Sequence, residues 1–306
     1  MQRTYRSIDI AKLASGLSLS LPLHELVGEA GGPAVGISAA VHGDEGVGVE
    51  VIRRLFADSE LEELRGRLVL LPVANPLAFQ SNTRNTPLDM ANLNRVFPGD
   101  PDGWLTEQMA DVISREFLTR IEVHIDLHAG GLYPIVDYVY QLNAPELSRA
   151  FGRRFLYAPP HPYEGTSTEV SGKSAKAVVV ELGGGLTAQE PYVELALKGL
   201  KNVLRAAGAL PGAADTPPAQ TLLHRIETVR PHQGGLLLPV VQGVGGRVKA
   251  GDVLGRVVSP FTFETLEEMC SPYDGVMILT HPTVHRVEPG DYGYMVGEFA
   301  TAEPVR

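Results

Sequence analysis

Three residues suited to acid–base or metal chemistry lie within four positions in the segment "HGDE", where His42, Asp44 and Glu45 follow a short apolar run. Imidazole nitrogens and carboxylate oxygens bind zinc, and both groups also carry protons. The His-x-x-Glu spacing alone is also compatible with a packed histidine at a strand end, followed by an acidic first helical turn that the helix dipole favours. A second polar group is therefore needed to indicate a metal site.

The segment "HIDLH" supplies that second group. His124, Asp126 and His128 alternate with apolar residues, so a strand places all three on one face. Because a strand inside a parallel sheet is normally apolar on both faces, this polar face needs a function. His128, at the carboxyl end, is predicted to be a metal ligand, and Asp126 to orient a ligand histidine. His124 is predicted to be a core histidine.

His42, Glu45 and His128 form a set of two histidines and one carboxylate, which is typical of a catalytic zinc site with one position open to water. Zinc in such a site lowers the pKa of its water and polarises a carbonyl oxygen, which suits amide hydrolysis. The reaction also needs a carboxylate as general base. Glu181 in "VVVELGG" follows an apolar strand and precedes a predicted glycine-rich turn. A helix-cap or surface carboxylate is the alternative for Glu181.

A long loop at residues 81–100 separates the two groups and contains Arg84 and Arg95. Long loops without regular structure are often functional in compact domains. The two arginines can hold a substrate carboxylate or stabilise an oxyanion, and the alternative is that they are solvated loop residues. Arginines beside a predicted metal site in an acidic protein indicate a small anionic substrate.

The elements that must position these residues follow from hydrophobic periodicity. Alternating strands and helices predict an α/β fold with a mainly parallel sheet and helices on both faces. Ligands bind such sheets beyond the carboxyl ends of the strands, where His42, His128 and Glu181 are expected. The predicted strands are 33–41, 66–75, 122–128, 133–142 and 177–184, and the predicted helices are 49–64, 104–121, 144–156 and 190–208.

Composition changes near residue 210, where a proline-containing segment without periodicity reads as a linker. Beyond it, short β-rich runs alternate with Gly, Pro and Asp turns. The sequence therefore predicts a catalytic domain over residues 1–210, a linker over 211–220 and a small all-β domain over 221–306.

The overall charge and cysteine content limit the partners and the compartment. The net charge of −10 and the lack of a basic block argue against a nucleic-acid partner. Cys270 is the single cysteine, so an intrachain disulfide is excluded and a reducing compartment is indicated. No apolar run approaches the roughly 20 residues that span a bilayer, so we expect no membrane association and a cytoplasmic location. A homo-oligomer is left open.

Four motifs, "HGDE", "NLNRVFPG", "DLH" and "VELGG", occur in an order and spacing that resembles the succinylglutamate desuccinylase and aspartoacylase family, which is itself similar to the zinc carboxypeptidases. The resemblance covers roughly residues 30–210. It implies a carboxypeptidase-like α/β fold with one zinc ion per chain. It also implies an amidohydrolase activity that removes an acyl group from the amine of an amino acid.

The resemblance assigns roles to seven residues: zinc ligands His42, Glu45 and His128, general base Glu181, carbonyl-polarising Arg84, and the substrate-carboxylate pair Asn94 and Arg95. The family usually has Asp at the first position of its "DLNR" motif, where this chain has Asn92. This difference leaves the predicted metal site intact and affects the hydrogen bonding expected to orient Arg95.

The C-terminal β region resembles the barrel-sandwich fold of biotinyl and lipoyl carriers. Its segment "FETLEEMCSP" has no lysine at the hairpin where carriers attach their prosthetic group, so an unmodified lid or assembly domain is expected.

Two other functions are compatible with these residues. A zinc carboxypeptidase would use the same ligands and base but would release a C-terminal residue from a peptide. A non-catalytic binding protein with a vestigial metal site would be expected to have lost some of the ligands or Glu181, all of which are present.

Overall fold

The computed structural model describes residues 1–184, 189–217 and 219–305, and Gly183 and Gly184, where a glycine-rich turn was predicted after Glu181, belong to a strand instead. The strands that form the N-terminal two thirds of the chain are β1 (Gln2–Lys12), β2 (Ser18–Val27), β3 (Glu29–Ala39), β4 (Arg65–Leu71), β5 (Val123–His128), β6 (Ile135–Tyr140), β7 (Phe155–Tyr157) and β8 (Lys176–Gly184). The α-helices are α1 (Val47–Phe56), α2 (Pro76–Ser81), α3 (Leu105–Glu116), α4 (Pro145–Ala150), α5 (Ser167–Ser171) and α6 (Glu190–Ala206).

A mixed sheet organises the molecule, with strand order β1-β2-β4-β3-β5-β8-β6 in this part of the chain. The four central strands β4, β3, β5 and β8 run parallel, while β1, β2 and β6 pair in antiparallel fashion at the two sides. Connections through α1, α3 and α5 return the chain to the same end of each parallel strand. The carboxyl ends of β3, β5 and β8 therefore meet at one edge, as the sequence predicts.

Both faces of the sheet are covered by helices, each against its own hydrophobic cluster. On one face α1, α4 and α6 pack over the odd-numbered residues of β5, such as Ile125, which is buried. On the other face α3 packs over β2 and β4, with Leu71 and Met109 buried between them. The α/β fold with a largely parallel central sheet is thus confirmed.

Some predicted elements differ from those observed. The helix predicted over 144–156 ends at Ala150, and residues 155–157 form β7 instead. Gly152 between them has φ +83°, a left-handed conformation that glycine adopts without strain and that turns the chain out of the helix. The N-terminal strands β1 and β2 were not predicted: β1 is mostly exposed, whereas the alternation of Leu19, Leu21 and Leu23 in β2 was an available signal that was missed.

The C-terminal region consists of β9 (Gln220–Leu223), β10 (Ile226–Val229), β11 (Gly235–Pro239), β12 (Arg247–Val248), β13 (Val253–Val258), β14 (Thr265–Cys270), β15 (Gly275–Thr280), β16 (His285–Val287), β17 (Tyr294–Glu298) and β18 (Glu303–Val305). Four of these strands form a second sheet in the order β14-β13-β11-β16. Others extend the main sheet, because β15 pairs with β6 and β9 pairs with β7. The β-rich C-terminal region is confirmed, and the domain boundaries at 210 and 220 stay a prediction.

None of the helices in the described residues combines the length and the hydropathy that crossing a membrane would need.

Candidate functional site

The "HGDE" segment forms a tight turn between β3 and α1. The chain leaves β3 with Ala40 at φ +49°, passes His42 and Glu45, and enters α1 at Val47. Gly43 lies so close to α2 that a Cβ atom there would be 1.9 Å from the carbonyl carbon of Ala78. The turn can therefore place His42 and Glu45 at the edge of the sheet only if position 43 has no side chain.

Gly43→Ala is expected to destabilise the fold by at least about 1–3 kcal/mol, because backbone atoms of α2 must move to admit the methyl group. The matched control is Gly46→Ala in the same turn, where a Cβ would have no neighbour within 4 Å and the backbone is already helical at φ −69°. Urea denaturation of the three proteins measures the difference. Equal midpoints for Gly43→Ala and wild type would contradict the close approach.

The turn brings His42 and Glu45 against His128 at the end of β5. The Nδ1 atoms of His42 and His128 lie 2.8 Å and 2.9 Å from the two carboxylate oxygens of Glu45. One ligand atom from each residue falls within 4.8 Å of the other two, and all three residues are buried. Asp44 does not belong to the group. This arrangement can hold a metal ion, and the neighbouring histidines lower the pKa of Glu45 against the opposing effect of burial.

Asp126 contacts His128 on the side of the imidazole ring that faces away from Glu45. Its Oδ2 atom accepts from Nε2 of His128 at 3.1 Å and from the hydroxyl of Ser167 at 2.6 Å, and its Oδ1 atom accepts from the hydroxyl of Ser38 at 2.6 Å. With Nε2 donating to the carboxylate, Nδ1 is directed into the cluster as a candidate ligand atom. Burial alone would raise the pKa of the Asp126 carboxylate. Its neighbours, His128 first among them, lower that pKa further than burial raises it, so the carboxylate stays ionised. The contact predicted between Asp126 and a ligand histidine is present.

His124 continues this buried network away from the cluster. Its Nε2 atom lies 2.8 Å from the hydroxyl of Ser38, and its Nδ1 atom lies 2.9 Å from the hydroxyl of Ser171. Burial lowers the pKa of His124 to about 4, so the ring is neutral at physiological pH. Its position agrees with the predicted core histidine.

Asn92 is the outer partner of His42. Its Oδ1 atom lies 3.2 Å from Nε2 of His42 and also accepts from the backbone N–H of Asn94 at 2.9 Å. The family motif predicts that this position orients Arg95, whereas the side chain of Asn92 contacts the candidate ligand His42. The difference from the family motif therefore bears on the metal cluster, where a neutral amide oxygen stands in place of a carboxylate.

We expect Asn92→Ala to weaken metal binding about 10–100-fold, because outer hydrogen-bond partners fix the orientation of ligand histidines. Asn92→Asp is expected to strengthen binding, because a carboxylate makes the imidazole of His42 a better donor to the metal. Competition with a chromophoric chelator measures both affinities. Identical affinities in wild type and both variants would contradict a role for Asn92.

Glu181 lies in β8 directly opposite His128 of β5. Its own strand continues to Gly184, so the residue is not at a strand end as predicted, and β6 pairs with it on the other side through Tyr138. Glu181 nevertheless reaches the functional edge because β5 ends at His128. Desolvation raises the pKa of Glu181 to about 8, and the carboxylate of Glu45 adds to the shift, while His128 opposes it.

Arg84, predicted to polarise the carbonyl, and the predicted substrate-carboxylate pair Asn94 and Arg95 also line the cavity at the cluster. Arg84 is partly exposed and donates from Nη1 to Oε1 of Glu45 at 3.1 Å. Asn94 is buried, and its Oδ1 atom accepts from the backbone N–H of Ser167 at 3.0 Å, while Nδ2 lies 3.4 Å from Nε2 of His128. Arg95 is exposed and donates to the backbone oxygen of Asn94.

All eight predicted site residues therefore gather around one cavity of about 600 Å³ or directly beneath it. Sequence reasoning missed the part of the wall formed by β6, α5 and the C-terminal strands. Among the tyrosines of the C-terminal region, Tyr292 lines the cavity. Tyr294 is buried in the core of the C-terminal region, and the hydroxyl of Tyr273 donates to the backbone of Val296. The alternation of tyrosines in "VDYVY" was the available signal for the β6 wall.

The sequence and the fold of this chain are similar to those of known proteins. Residues 31–207 match the succinylglutamate desuccinylase/aspartoacylase catalytic domain, which covers more than half of the chain. The chain therefore belongs to the succinylglutamate desuccinylase/aspartoacylase family, and the resemblance read from the four motifs is confirmed.

Individual relatives match between 74% and 97% of the chain. A curated N-alpha-acetyl-L-2,4-diaminobutyric acid deacetylase of Halomonas elongata is 30% identical over 245 residues, covering 74% of this chain and 70% of the relative. The product-bound ectoine utilization protein EutE of Ruegeria pomeroyi is 27% identical with a TM-score of 0.87, over 97% of this chain and 95% of that one. A succinylglutamate desuccinylase of Silicibacter sp. TM1040 is 28% identical with a TM-score of 0.85, over 97% and 94%. The names of the Halomonas and Silicibacter proteins describe deacylating enzymes, which supports a hydrolase.

Proposed function

We propose that this protein hydrolyses the amide bond of an N-acyl amino acid in a zinc-dependent reaction and releases a carboxylic acid and a free amine. The observation that carries the proposal is the position of Glu181. Its carboxylate lies beside the cluster of His42, Glu45 and His128, at the register position opposite His128 and on the same cavity. Ligands and base thus occupy one edge of the sheet, within reach of one substrate.

The chemistry of the cluster fits zinc. Nδ1 of His42, Nδ1 of His128 and a carboxylate oxygen of Glu45 would hold the ion, and this two-nitrogen, one-carboxylate set leaves a position for water. Bound zinc lowers the pKa of water to about 7 and polarises a carbonyl oxygen. The outer nitrogen of each histidine already has a hydrogen-bond acceptor, in Asn92 and in Asp126. The ligand atoms therefore keep their orientation without rearrangement.

Glu181 acts as the general base in this proposal. Its carboxylate takes a proton from the attacking water and later gives that proton to the nitrogen of the leaving amine. A carboxylate with an ordinary pKa is a weak base at neutral pH, and the desolvation that raises the pKa of Glu181 makes its oxygen a stronger proton acceptor. The same group can then act as the acid in the second step.

The polar residues at the cavity mouth position the substrate. The guanidinium of Arg84 beside Glu45 can donate to the scissile carbonyl oxygen and stabilise the negative charge that develops there. In this proposal the Nδ2 group of Asn94 and the guanidinium of Arg95 hold the substrate carboxylate, because both residues line the cavity and carry N–H donors. The substrate is therefore a small molecule with an anionic carboxylate.

The relatives narrow the acyl group. The Halomonas protein is named for removal of an acetyl group from a diamino acid, and the Silicibacter protein for removal of a succinyl group. We propose acetyl or succinyl amino acids as the first substrates to test. A cytoplasmic location and the lack of a nucleic-acid partner remain predictions from composition.

Mass spectrometry of the products tests the proposal. The zinc-loaded protein is incubated with N-acetyl, N-succinyl and N-formyl amino acids and with short unblocked peptides. Release of an acyl acid is the expected result. Shortened peptides would favour a carboxypeptidase instead, and no turnover of any substrate would favour a binding protein.

A further inference from the structure

The cavity continues beyond the metal cluster along β8. Ala177, Val179 and Glu181 line it, whereas Val178 and Val180 alternate with them and pack in the hydrophobic core on the opposite face. Ala177 is the innermost of the three, so the cavity reaches about 13 Å past the proposed base at roughly 3.3 Å per residue. The whole cavity of about 600 Å³ is of the size that buries drug-sized ligands. A small N-acetyl amino acid would therefore leave its inner part unfilled.

The inner arm is the part of the cavity beyond Glu181, and its walls are mainly hydrocarbon and aromatic. Its wall residues include Ala177, Val179, Tyr138, Tyr140, Leu142 and Tyr163. The ring centroids of Tyr138 and Tyr140 are 5.1 Å apart, and the ring of Tyr163 stands perpendicular to that of Tyr140 at 6.1 Å. Tilted and perpendicular rings attract one another, so a further ring in the arm would find aromatic partners.

The polar groups of these walls are bonded to one another. The hydroxyl of Tyr138 donates to that of Tyr140 at 3.0 Å, and the hydroxyl of Thr166 donates to the backbone oxygen of Tyr163 at 2.9 Å. Burial raises the pKa of Tyr138 and of Tyr140, so both hydroxyls are neutral. The tyrosines therefore bring ring surface to the arm without bringing charge.

The charges of the inner arm also cancel. In the described part of the chain, the charged residues that line the cavity beyond Glu181 are Glu169 and Lys173, and Nζ of Lys173 lies 2.8 Å from a carboxylate oxygen of Glu169. A charged group that entered the arm would lose its hydration and find no unpaired charge of opposite sign, which makes its burial costly. An uncharged group meets no such penalty.

The position of Glu181 decides which half of the substrate reaches the arm. In the proposed reaction Glu181 gives its proton to the nitrogen of the leaving amine, so that nitrogen lies beside Glu181 at the entrance of the inner arm. The groups carried by the amine half are therefore the ones that can extend towards Val179 and Ala177.

We propose that the inner arm receives the side chain of the amino-acid half of the substrate and selects an uncharged apolar or aromatic one. The preferred substrate is then an N-acyl derivative of an amino acid with a large apolar side chain. This inference rests on the proposed function and specifies its substrate class.

Three N-acetyl amino acids with side chains of similar length test the selection against charge. N-acetylnorvaline ends in a methyl group, N-α-acetyl-2,4-diaminobutyrate in an ammonium group and N-acetylglutamate in a carboxylate. We expect kcat/KM to favour the norvaline compound over each charged one by about tenfold or more, because only the charged side chains lose hydration without compensation. A charged compound that is hydrolysed as well as N-acetylnorvaline, or better, would overturn the inference.

The length of the arm predicts a second preference. N-acetylphenylalanine buries a ring that N-acetylalanine lacks, and we expect its kcat/KM to be about tenfold higher or more. N-(3-phenylpropanoyl)alanine carries the ring in its acyl half and is expected to be a poorer substrate than N-acetylphenylalanine. The opposite order would place the apolar group in the acyl half and overturn the assignment.

Variants of the wall connect this preference to the inner arm. Val179→Phe narrows the arm and is expected to lower the phenylalanine-to-alanine ratio of kcat/KM by about tenfold, mainly through the KM of the phenylalanine compound. Val27→Phe makes the same change at an exposed position of β2 outside the cavity and leaves the ratio unchanged. Tyr163→Ala removes a half-exposed ring from the wall and is expected to lower the ratio about threefold.

Tyr163→Ala also decides the matter if Val179→Phe does not fold. A ratio that neither variant changes would overturn the inference while leaving the deacylase function intact. Failure to hydrolyse every N-acyl amino acid would instead overturn the proposed function.

Discussion

Glu181→Gln is expected to lower kcat by about 10²–10⁴-fold, the usual contribution of a general base, while the protein keeps its metal. The amide is nearly isosteric with the carboxylate and cannot accept the proton of the attacking water. The residue contributes no atom to the group formed by His42, Glu45 and His128, so metal content should equal that of wild type. Steady-state kinetics and elemental analysis of the same preparation measure both quantities.

The control for this variant is Glu164→Gln, because Glu164 is exposed and outside the candidate ligand group. It makes the same chemical change and should leave kcat unaltered. Glu181→Asp distinguishes loss of charge from loss of position, since it keeps a carboxylate but withdraws it by one methylene, and it should retain part of the activity. Undiminished kcat in Glu181→Gln would refute the role of this residue as base.

His128→Ala is expected to lose both metal and activity. Loss of an outer partner alone typically costs 10–100-fold in metal affinity, so removal of a ligand should cost at least about 100-fold. The change also leaves the buried carboxylates of Glu45 and Asp126 without the imidazole that bonds to both. The metal-free variant should therefore be less stable than metal-free wild type. Elemental analysis after dialysis against a chelator and thermal denaturation measure these two effects.

His124→Gln is the matched control for His128→Ala, because it alters the next histidine on the same face of β5. Gln can still donate to Ser38, and His124 belongs to the core network outside the ligand group. We expect it to lower stability without loss of metal. A normal metal content in His128→Ala would exclude His128 as a ligand.

The candidate site could be predicted because its residues occur in short sequence motifs and because neighbouring parallel strands bring their carboxyl ends together. His42, His128 and Glu181 each follow or end an apolar run, and parallel strands bring such positions together. The alternation in "HIDLH" also placed Asp126 behind His128. These predictions require only that the three strands be neighbours in the sheet. They do not require knowledge of the remaining strand order.

Contacts that depend on tertiary structure could not be predicted. Ser38 and Ser167 reach Asp126 from a different strand and from α5, and a serine in a sequence carries no signal for a distant carboxylate. The contact of Asn92 with His42 likewise depends on how the long loop folds back. The residues of β7 were included in a predicted helix because they directly follow a helical pattern of apolar residues. Pairing with β6 and β9 makes them a strand instead.

The outer edge of β6 has a consequence for work with fragments of this protein. One half of that edge is hydrogen-bonded by β15, and the other half by β7, which in turn carries β9. A chain that ends before Gln220 would lack β9 and β15. The backbone of β6 and β7 would then be exposed along one edge and could pair with strands of other chains. It would also remove Leu279, Tyr292 and Met295 from the cavity wall. An inactive, aggregating fragment would then reflect a missing wall and an open sheet edge, and it would carry no information about the metal chemistry.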